Sequence, residues 1–151
     1  MTIRKICLTD DTEVEQLWYL QQLSYRIEAE WNGLQAIPPL MDTIETIRNC
    51  GEIFYADFEQ EEMIGAVSYM KDRESVTVCR LMVHPEHLRK GVGGRLLQLV
   101  EEAEPGISMF KVVTGSKNLP AIGLYTKHGY SAGGRKEAPA GIKLTAFIKN
   151  K

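Results

Sequence analysis

Leu81-Met82-Val83-His84-Pro85-Glu86-His87-Leu88-Arg89-Lys90-Gly91-Val92-Gly93-Gly94-Arg95-Leu96-Leu97-Gln98-Leu99-Val100 is the stretch around which the chain is organised. An apolar run passes into a basic, glycine-rich turn, and then into leucines and valine at helical spacing. The pattern predicts a strand, a turn, and a helix that begins inside the turn. Gly91, Gly93 and Gly94 lack a Cβ, so the backbone can curl tightly and a ligand can approach its amides. The first turn of a helix carries unpaired N–H groups and about half a positive charge, a setting that suits phosphate or pyrophosphate. Arg89, Lys90 and Arg95 add positive charge at the same opening. Two readings of these residues stand side by side: an anion site, or a tight turn with ordinary surface cations.

Two common phosphate loops do not match. A Walker loop needs a hydroxyl residue directly after its lysine, and Gly91 follows Lys90. A dinucleotide fingerprint needs Gly-x-Gly-x-x-Gly and an acid ending the next strand; here the glycines stop at Gly94 and the next strand ends Val113-Thr114-Gly115.

Strand, Val83-His84-Pro85, basic turn, Gly91-Val92-Gly93 and Leu96-Leu97 resemble the acyl-CoA motif of the GNAT superfamily of N-acetyltransferases. Asn118-Leu119-Pro120-Ala121-Ile122-Gly123-Leu124-Tyr125-Thr126-Lys127-His128-Gly129-Tyr130 is similar to that family's second cofactor motif, in the expected order with one strand between the two. The specific likeness covers about Val76 to Tyr130. One position departs: the family's loop usually opens with Arg or Gln three residues before its first glycine, where this chain has Leu88, and Arg89 and Lys90 are the nearest charges.

The resemblance implies an α/β GNAT-like N-acyltransferase fold, 1–151 as one domain, with a mixed, mainly antiparallel sheet, a central splayed parallel pair and flanking helices. It implies acetyl-CoA as acyl donor. Leu88, Arg89, Lys90, Gly91, Val92, Gly93, Gly94 and Arg95 would surround the pyrophosphate, and Met82 and Val83 would lie beside the pantetheine arm. Asn118 would position the arm, and Leu124 would support it. Tyr125 would protonate the departing thiolate. The acceptor would be a primary amine on a small molecule or protein, acetylated directly in a ternary complex. A homodimer through the terminal strands is compatible with the family. The second reading is a CoA-binding regulatory or interaction module without efficient transfer. No base is assigned: Glu52 and Glu74 are the nearest strand-associated acids, and a water relay is an equal alternative.

Composition bounds the rest. The chain has 151 residues, 44% hydrophobic and 25% charged, with formal charge -2, as for one ordinary globular core. A nucleic-acid partner would want a strongly basic face, which that charge does not support. No run approaches the roughly 20 apolar residues of a membrane span, and the start lacks a secretory signal pattern. Cys7, Cys50 and Cys79 show no paired spacing and read as buried free thiols in a reducing cytoplasm. Neither His-Glu-x-x-His nor an EF-hand loop occurs, so no metal is expected.

In chain order, the expectations are a strand over Thr2–Leu8 and a helix from Thr12 to about Trp31, with Leu17, Leu20, Ser24, Ile27 and Trp31 on one face. Asn32-Gly33 and Pro38-Pro39 bracket an irregular segment. A short helix lies within Met41–Cys50, with Asp42 and Glu45 as its capping box and Gly51 as stop. Trp31, Leu34, Ile37, Leu40 and Met41 read either as an apolar acceptor wall or as core. Strands over Glu52–Glu59, Met63–Met70 and Val76–Val83 form an antiparallel meander. The helix from Gly91 to about Glu104 crosses to a parallel strand, Ile107–Thr114. A short helix over Asn118–His128 ends at Gly129. Tyr130 enters a strand, Gly133–Gly141 is a connection, and Ile142–Ile148 is the last strand.

Overall fold

Hydrophobic period and turn residues place most elements where they are expected. In the computed structural model, which describes residues 2–31, 41–116, 118–138 and 142–151, the order is β1 (Thr2–Lys5), α1 (Asp11–Trp31), α2 (Ile44–Arg48), β2 (Ile53–Glu59), β3 (Glu62–Lys71) and β4 (Ser75–Val83). A 3₁₀ turn (Pro85–His87), α3 (Val92–Ala103), β5 (Met109–Gly115), α4 (Leu119–Lys127), β6 (Ser131–Ala138) and β7 (Ile142–Asn150) follow. The strands form one sheet in the order β1-β2-β3-β4-β5-β7-β6. Every neighbouring pair is antiparallel except β4–β5, which is parallel. This is the mixed α/β sheet expected from the resemblance.

Two apolar layers clothe the sheet. On one face Val92, Leu96, Leu97 and Val100 of α3 meet Ile64, Val67 and Phe110. On the other, Val14, Leu17 and Leu20 of α1 meet Phe54, Ala66 and Met82. Fully burying one such side chain contributes about 1.5–3 kcal/mol, so these layers supply the main force that seats the helices. Gly65 lies close under α3: a Cβ there would sit 2.4 Å from Val92 Cγ1 and 3.1 Å from the Met82 carbonyl oxygen.

Several expectations change. The capping box of α2 is Thr43 with Thr46, one residue beyond the Asp42–Glu45 pair. The Asp42 carboxylate is taken instead by Gln21, Arg80 and the Thr46 hydroxyl. The buried face of α1 is rotated to take in Val14, Gln21, Tyr25 and Ala29, because Gln21 turns inward to that same polar group. Residues 133–138 are strand, not connection: Gly133 sits at a register shift of the β6–β7 ladder, where a Cβ would meet Ile148 Cδ1 at 2.8 Å. A glycine read as a breaker thus serves a bulge. The thiols are free but not buried, since Cys7 and Cys79 are exposed and Cys50 is intermediate. Asn32-Gly33, Leu34, Ile37, Pro38-Pro39, Leu40 and Gly141 lie outside the described residues, as does the side chain of Trp31. Met41 is exposed. Among the described residues, no helix is long and apolar enough to cross a membrane.

Candidate active site

The site begins with a fault in β4. Ser68 pairs with Arg80 but Tyr69 pairs with Val78, so Cys79 is the extra residue of a bulge. A bulge bends its strand. Up to Val78, β4 pairs with β5 through Val112; past that point β4 keeps only β3, and β5 keeps only β7. The two central strands therefore splay, and a cleft of about 1020 Å³ opens between them. Main-chain donors on the opened edge are met by hydroxyls from α1. Leu81 N–H donates to Tyr25 Oη at 3.3 Å, and Val83 N–H donates to Ser24 Oγ at 3.4 Å. Both bonds are longer than the usual 2.9–3.0 Å and are correspondingly weak.

The basic turn closes one end of the cleft. Arg89 has φ 65 and Gly91 has φ 79, while Lys90 between them stays outside the positive region, so the turn alternates in hand. Such alternation aims successive amides into a shared concavity that favours anions. A left-handed arginine costs of order 1–3 kcal/mol and persists only where its surroundings hold it. Here Arg95 supplies the hold. Its Nη1 donates to the Lys90 carbonyl at 3.1 Å, and its Nη2 donates to the fully buried Asp57 carboxylate at 3.0 Å. Arg95 thus ties the turn to the sheet as well as lining the cleft.

α3 starts without a side-chain cap. Its first internal bond runs from Arg95 N–H to the Gly91 carbonyl at 3.0 Å, which leaves the amides of Val92, Gly93 and Gly94 ahead of the helical ladder. Gly93 and Gly94 have a packing reason too. A Cβ would lie 2.9 Å from Leu124 Cδ2 at the first, and 2.6 Å from His128 Nε2 at the second. These contacts bring α4 against the opening of α3.

α4 adds Asn118 and Tyr125. Asn118 is its N-cap, its side-chain oxygen accepting from Ala121 N–H at 3.2 Å. Tyr125 is buried, lines the cleft, and packs beside Tyr130 and Phe147 at centroid distances of 6.0 and 5.8 Å. Among the sequence-predicted residues, Val83, Leu88, Arg89, Gly91, Val92, Gly93, Gly94, Arg95, Asn118 and Tyr125 come together on the cleft wall. Met82 and Lys90 do not line it; the Met82 side chain is fully buried in the α1 layer.

No carboxylate belongs to the described cleft wall, whereas Arg80, Arg89, Arg95 and Lys127 do. Glu52 points instead into a polar knot, accepting from Ser68 Oγ at 2.6 Å and from Arg80 Nε at 3.0 Å. Arg80 also donates to Gln21 and Asp42. Burial works against its charge, but Glu52 and Asp42 outweigh that and raise the guanidinium above its ordinary value. Glu74 sits in the turn at the opposite end of β4 from the basic loop. Cys79 faces the cleft, and desolvation, reinforced by the Glu52 charge, pushes its thiol up to about 11. A thiol is a weak nucleophile compared with its thiolate, so this position does not favour an acyl-cysteine. Sequence reasoning missed the Cys79 bulge, the Tyr25 and Ser24 hydroxyls, and Asp57; none carries a local signal.

A model described as the acetyltransferase (GNAT) family matches residues 14–130, a span holding both the basic turn and α4. UPF0157 protein YqkA of Bacillus subtilis (strain 168) is 34% identical over 136 residues, covering 90% of this chain and 40% of that protein. The chain therefore spans well under two thirds of that relative's length. The ribosomal-protein-S18-alanine N-acetyltransferase of Escherichia coli superposes with TM-score 0.79 at 15% identity, over 99% of this chain and 92% of that one. The PaiA N-acetyltransferase of Thermoplasma acidophilum, in complex with coenzyme A, gives 0.76 at 18% identity over 99% and 98%. At those identities the likeness is one of fold.

Proposed function

The chain belongs to the GNAT acetyltransferase family, and on that premise we propose that it transfers the acetyl group of acetyl-CoA directly to a primary amine, on a small molecule or a protein, with both substrates bound together. One observation carries the reading: a splayed strand edge with main-chain donors runs into an uncapped helix start, along a wall with cations and no described carboxylate. That combination fits a ligand with a peptide-like arm at one end and a pyrophosphate at the other. The amides of Leu88 to Gly94 hold the diphosphate, with Arg89 and Lys90 as nearby charge. Leu81 and Val83 exchange their hydroxyl partners for the acyl donor, one of them opposing the negative charge that develops on the carbonyl oxygen. Asn118 keeps the start of α4 in place beside the arm.

Tyr125 acts as the acid. The amine nitrogen bonds to the carbonyl carbon, the carbon–sulfur bond breaks with its electron pair on sulfur, and the Tyr125 hydroxyl delivers its proton there. A free alkylamine has pKa about 10.4 and must shed a proton before attacking. With Glu52 held by Arg80 and Ser68, solvent in the open cleft takes that proton. A reducing cytoplasm suits the free thiols.

Leu88 and the lack of a carboxylate on the described wall favour one second reading, a CoA-binding module without efficient transfer. Calorimetry with acetyl-CoA, followed by release of CoA thiol across polyamines, aminoglycosides, amino acids and peptide N-termini, separates the two. Saturable binding with thiol release for at least one amine class is expected. Binding without release across the library supports the module, and absence of binding removes both readings.

A further inference from the structure

The turn leading into the basic loop holds a group of side chains to which the acyl-transfer reading gives no part, although His87 also borders the cleft. His84 caps, and His87 ends, the 3₁₀ turn Pro85–His87. A 3₁₀ helix has three residues per turn, so side chains three apart eclipse one another. The two rings stand edge to face with centroids 5.6 Å apart. Glu62, at the start of β3, is brought alongside by the β3–β4 ladder, which reaches Gly65 and Val83 and continues as a 2.8 Å bond from His84 N–H to the Ile64 carbonyl. One ligand atom from each of Glu62, His84 and His87 lies within 4.8 Å of the others.

His87 is the informative member. Its side chain is only 12% exposed, and Nε2 stands 3.3 Å from Glu62 Oε1. Its Nδ1 is buried with no hydrogen-bond partner among the described residues, and Glu59 Oε2 waits 3.6 Å away, just beyond bonding reach. Nitrogen and oxygen ligands each about 2.0–2.1 Å from a tetrahedral zinc lie about 3.3 Å apart, which matches the Nε2–Oε1 separation. A metal-bound imidazole commonly donates its other N–H to a carboxylate, and Glu59 is set to accept it.

We propose that Glu62, His84 and His87 bind one divalent transition-metal ion, zinc by the chemistry of the donors, with Glu59 orienting His87 from outside. Two imidazoles and one carboxylate suit zinc better than magnesium or calcium, which prefer all-oxygen shells. His87 coordinates through Nε2 and turns Nδ1–H to Glu59. His84 now accepts the Glu86 N–H on Nδ1 at 3.1 Å, so coordination through Nε2 moves its ring proton to Nδ1 and gives up that single neutral bond. The competing arrangement is a plain ion bridge, with His87 protonated between the two glutamates. This site stands independently of the acyl-transfer reading.

The test is a titration of the full chain with Zn²⁺, followed by calorimetry and by the imidazole resonances of its three histidines. Saturation at one equivalent is expected, with His84 and His87 shifting together while His128, packed under Gly94, does not. A Cys7→Ser/Cys79→Ser variant keeps the same stoichiometry and affinity. Glu62→Gln, at an exposed position that does not endanger the fold, weakens binding more than tenfold, as does His87→Gln. Glu59→Gln weakens it about ten- to a hundredfold as an outer-shell change. The proposal is overturned if His84 and His87 stay put through one equivalent, if the serine variant abolishes binding, or if Glu62→Gln binds zinc as tightly as the parent chain.

Discussion

α3 and α4 begin on the same cleft and are finished in opposite ways. α3 follows left-handed Gly91 and has no side-chain cap, while α4 follows Asn118, whose side chain accepts the Ala121 N–H. α2, away from the loop, closes itself further with the Thr43–Thr46 box. A helix start that satisfies its own donors has less left for a ligand; an open start keeps them at the cost of local stability. The contrast teaches a division of labour. Under the proposed function, α3 stays open to hold an anion, and α4 closes itself to keep Tyr125 on the cleft wall.

The sharpest way to break that division is at Tyr125. Tyr125→Phe is expected to lower kcat about a hundredfold, within the range for loss of a general acid, while acetyl-CoA affinity by calorimetry stays within a factor of about two. Unchanged turnover would take the tyrosine out of the chemistry and leave α4 a purely structural wall. Next in size is Arg95→Leu, which strands the fully buried Asp57 carboxylate. A loss of about 2 kcal/mol in urea unfolding is expected, below the 3–5 for fully buried pairs because Arg95 keeps 34% of its side chain exposed. Loss of the tie to the Lys90 carbonyl should weaken acetyl-CoA binding in the same variant.

A matched pair then compares the two starts directly. Gly91→Ala forces a Cβ into the left-handed region, at about 1–2 kcal/mol, and should weaken acetyl-CoA binding about tenfold through a distorted cradle. Asn118→Ala removes a cap worth about 1 kcal/mol, and should lower Tm with a smaller effect on that affinity. If the two variants gave the same ratio of binding loss to stability loss, the contrast between the helices would be empty.

The smallest effect lies at the far end of α3, where Glu104 accepts from Lys71 Nζ at 2.9 Å and Tyr69 Oη at 2.8 Å. The Lys71 bond leads in holding its carboxyl below the ordinary glutamate range, with Tyr69 adding to it against a desolvation penalty. A lowered folded value means the contribution is whole above the unfolded range, about 4.3, and fades as pH falls through the folded value. Glu104→Gln should therefore lower Tm modestly at neutral pH, where the contribution is whole, and flatten the acid limb of the Tm–pH curve, the two proteins converging as pH falls. An unchanged acid limb would show that this end of α3 is held by packing alone.

Much of the architecture was legible in the residues. Leu96, Leu97 and Val100 recur at helical spacing and are buried beneath α3, and Gly129 follows the end of α4 where a stop was expected, with a left-handed φ. The basic-turn side of the cleft wall was legible apart from Lys90, since the glycines and their neighbours in one segment must stay together, whereas Met82 falls outside the wall and Ser24, Tyr25 and Cys79 join it from elsewhere. What each member does was less so. Arg95 reads as loose positive charge, yet it is tied to Asp57, 38 residues away. Gly133 reads as a breaker, yet it sits inside a strand whose partner makes room for a bulge.

By itself the sequence determined which segments become strands and helices, where the chain curls, and that an open helix start follows a basic turn. Hydrophobic period, glycine freedom and proline stops act over a few residues and need no partner to be read. Only the tertiary structure decided that the sheet parts after Val78, that Arg89 is held left-handed, that Tyr25 and Ser24 meet the parted edge, and that Glu62 reaches His84 and His87. Each of these is made by residues distant in the chain, whose meeting depends on sheet order and register, and neither is written in the local pattern.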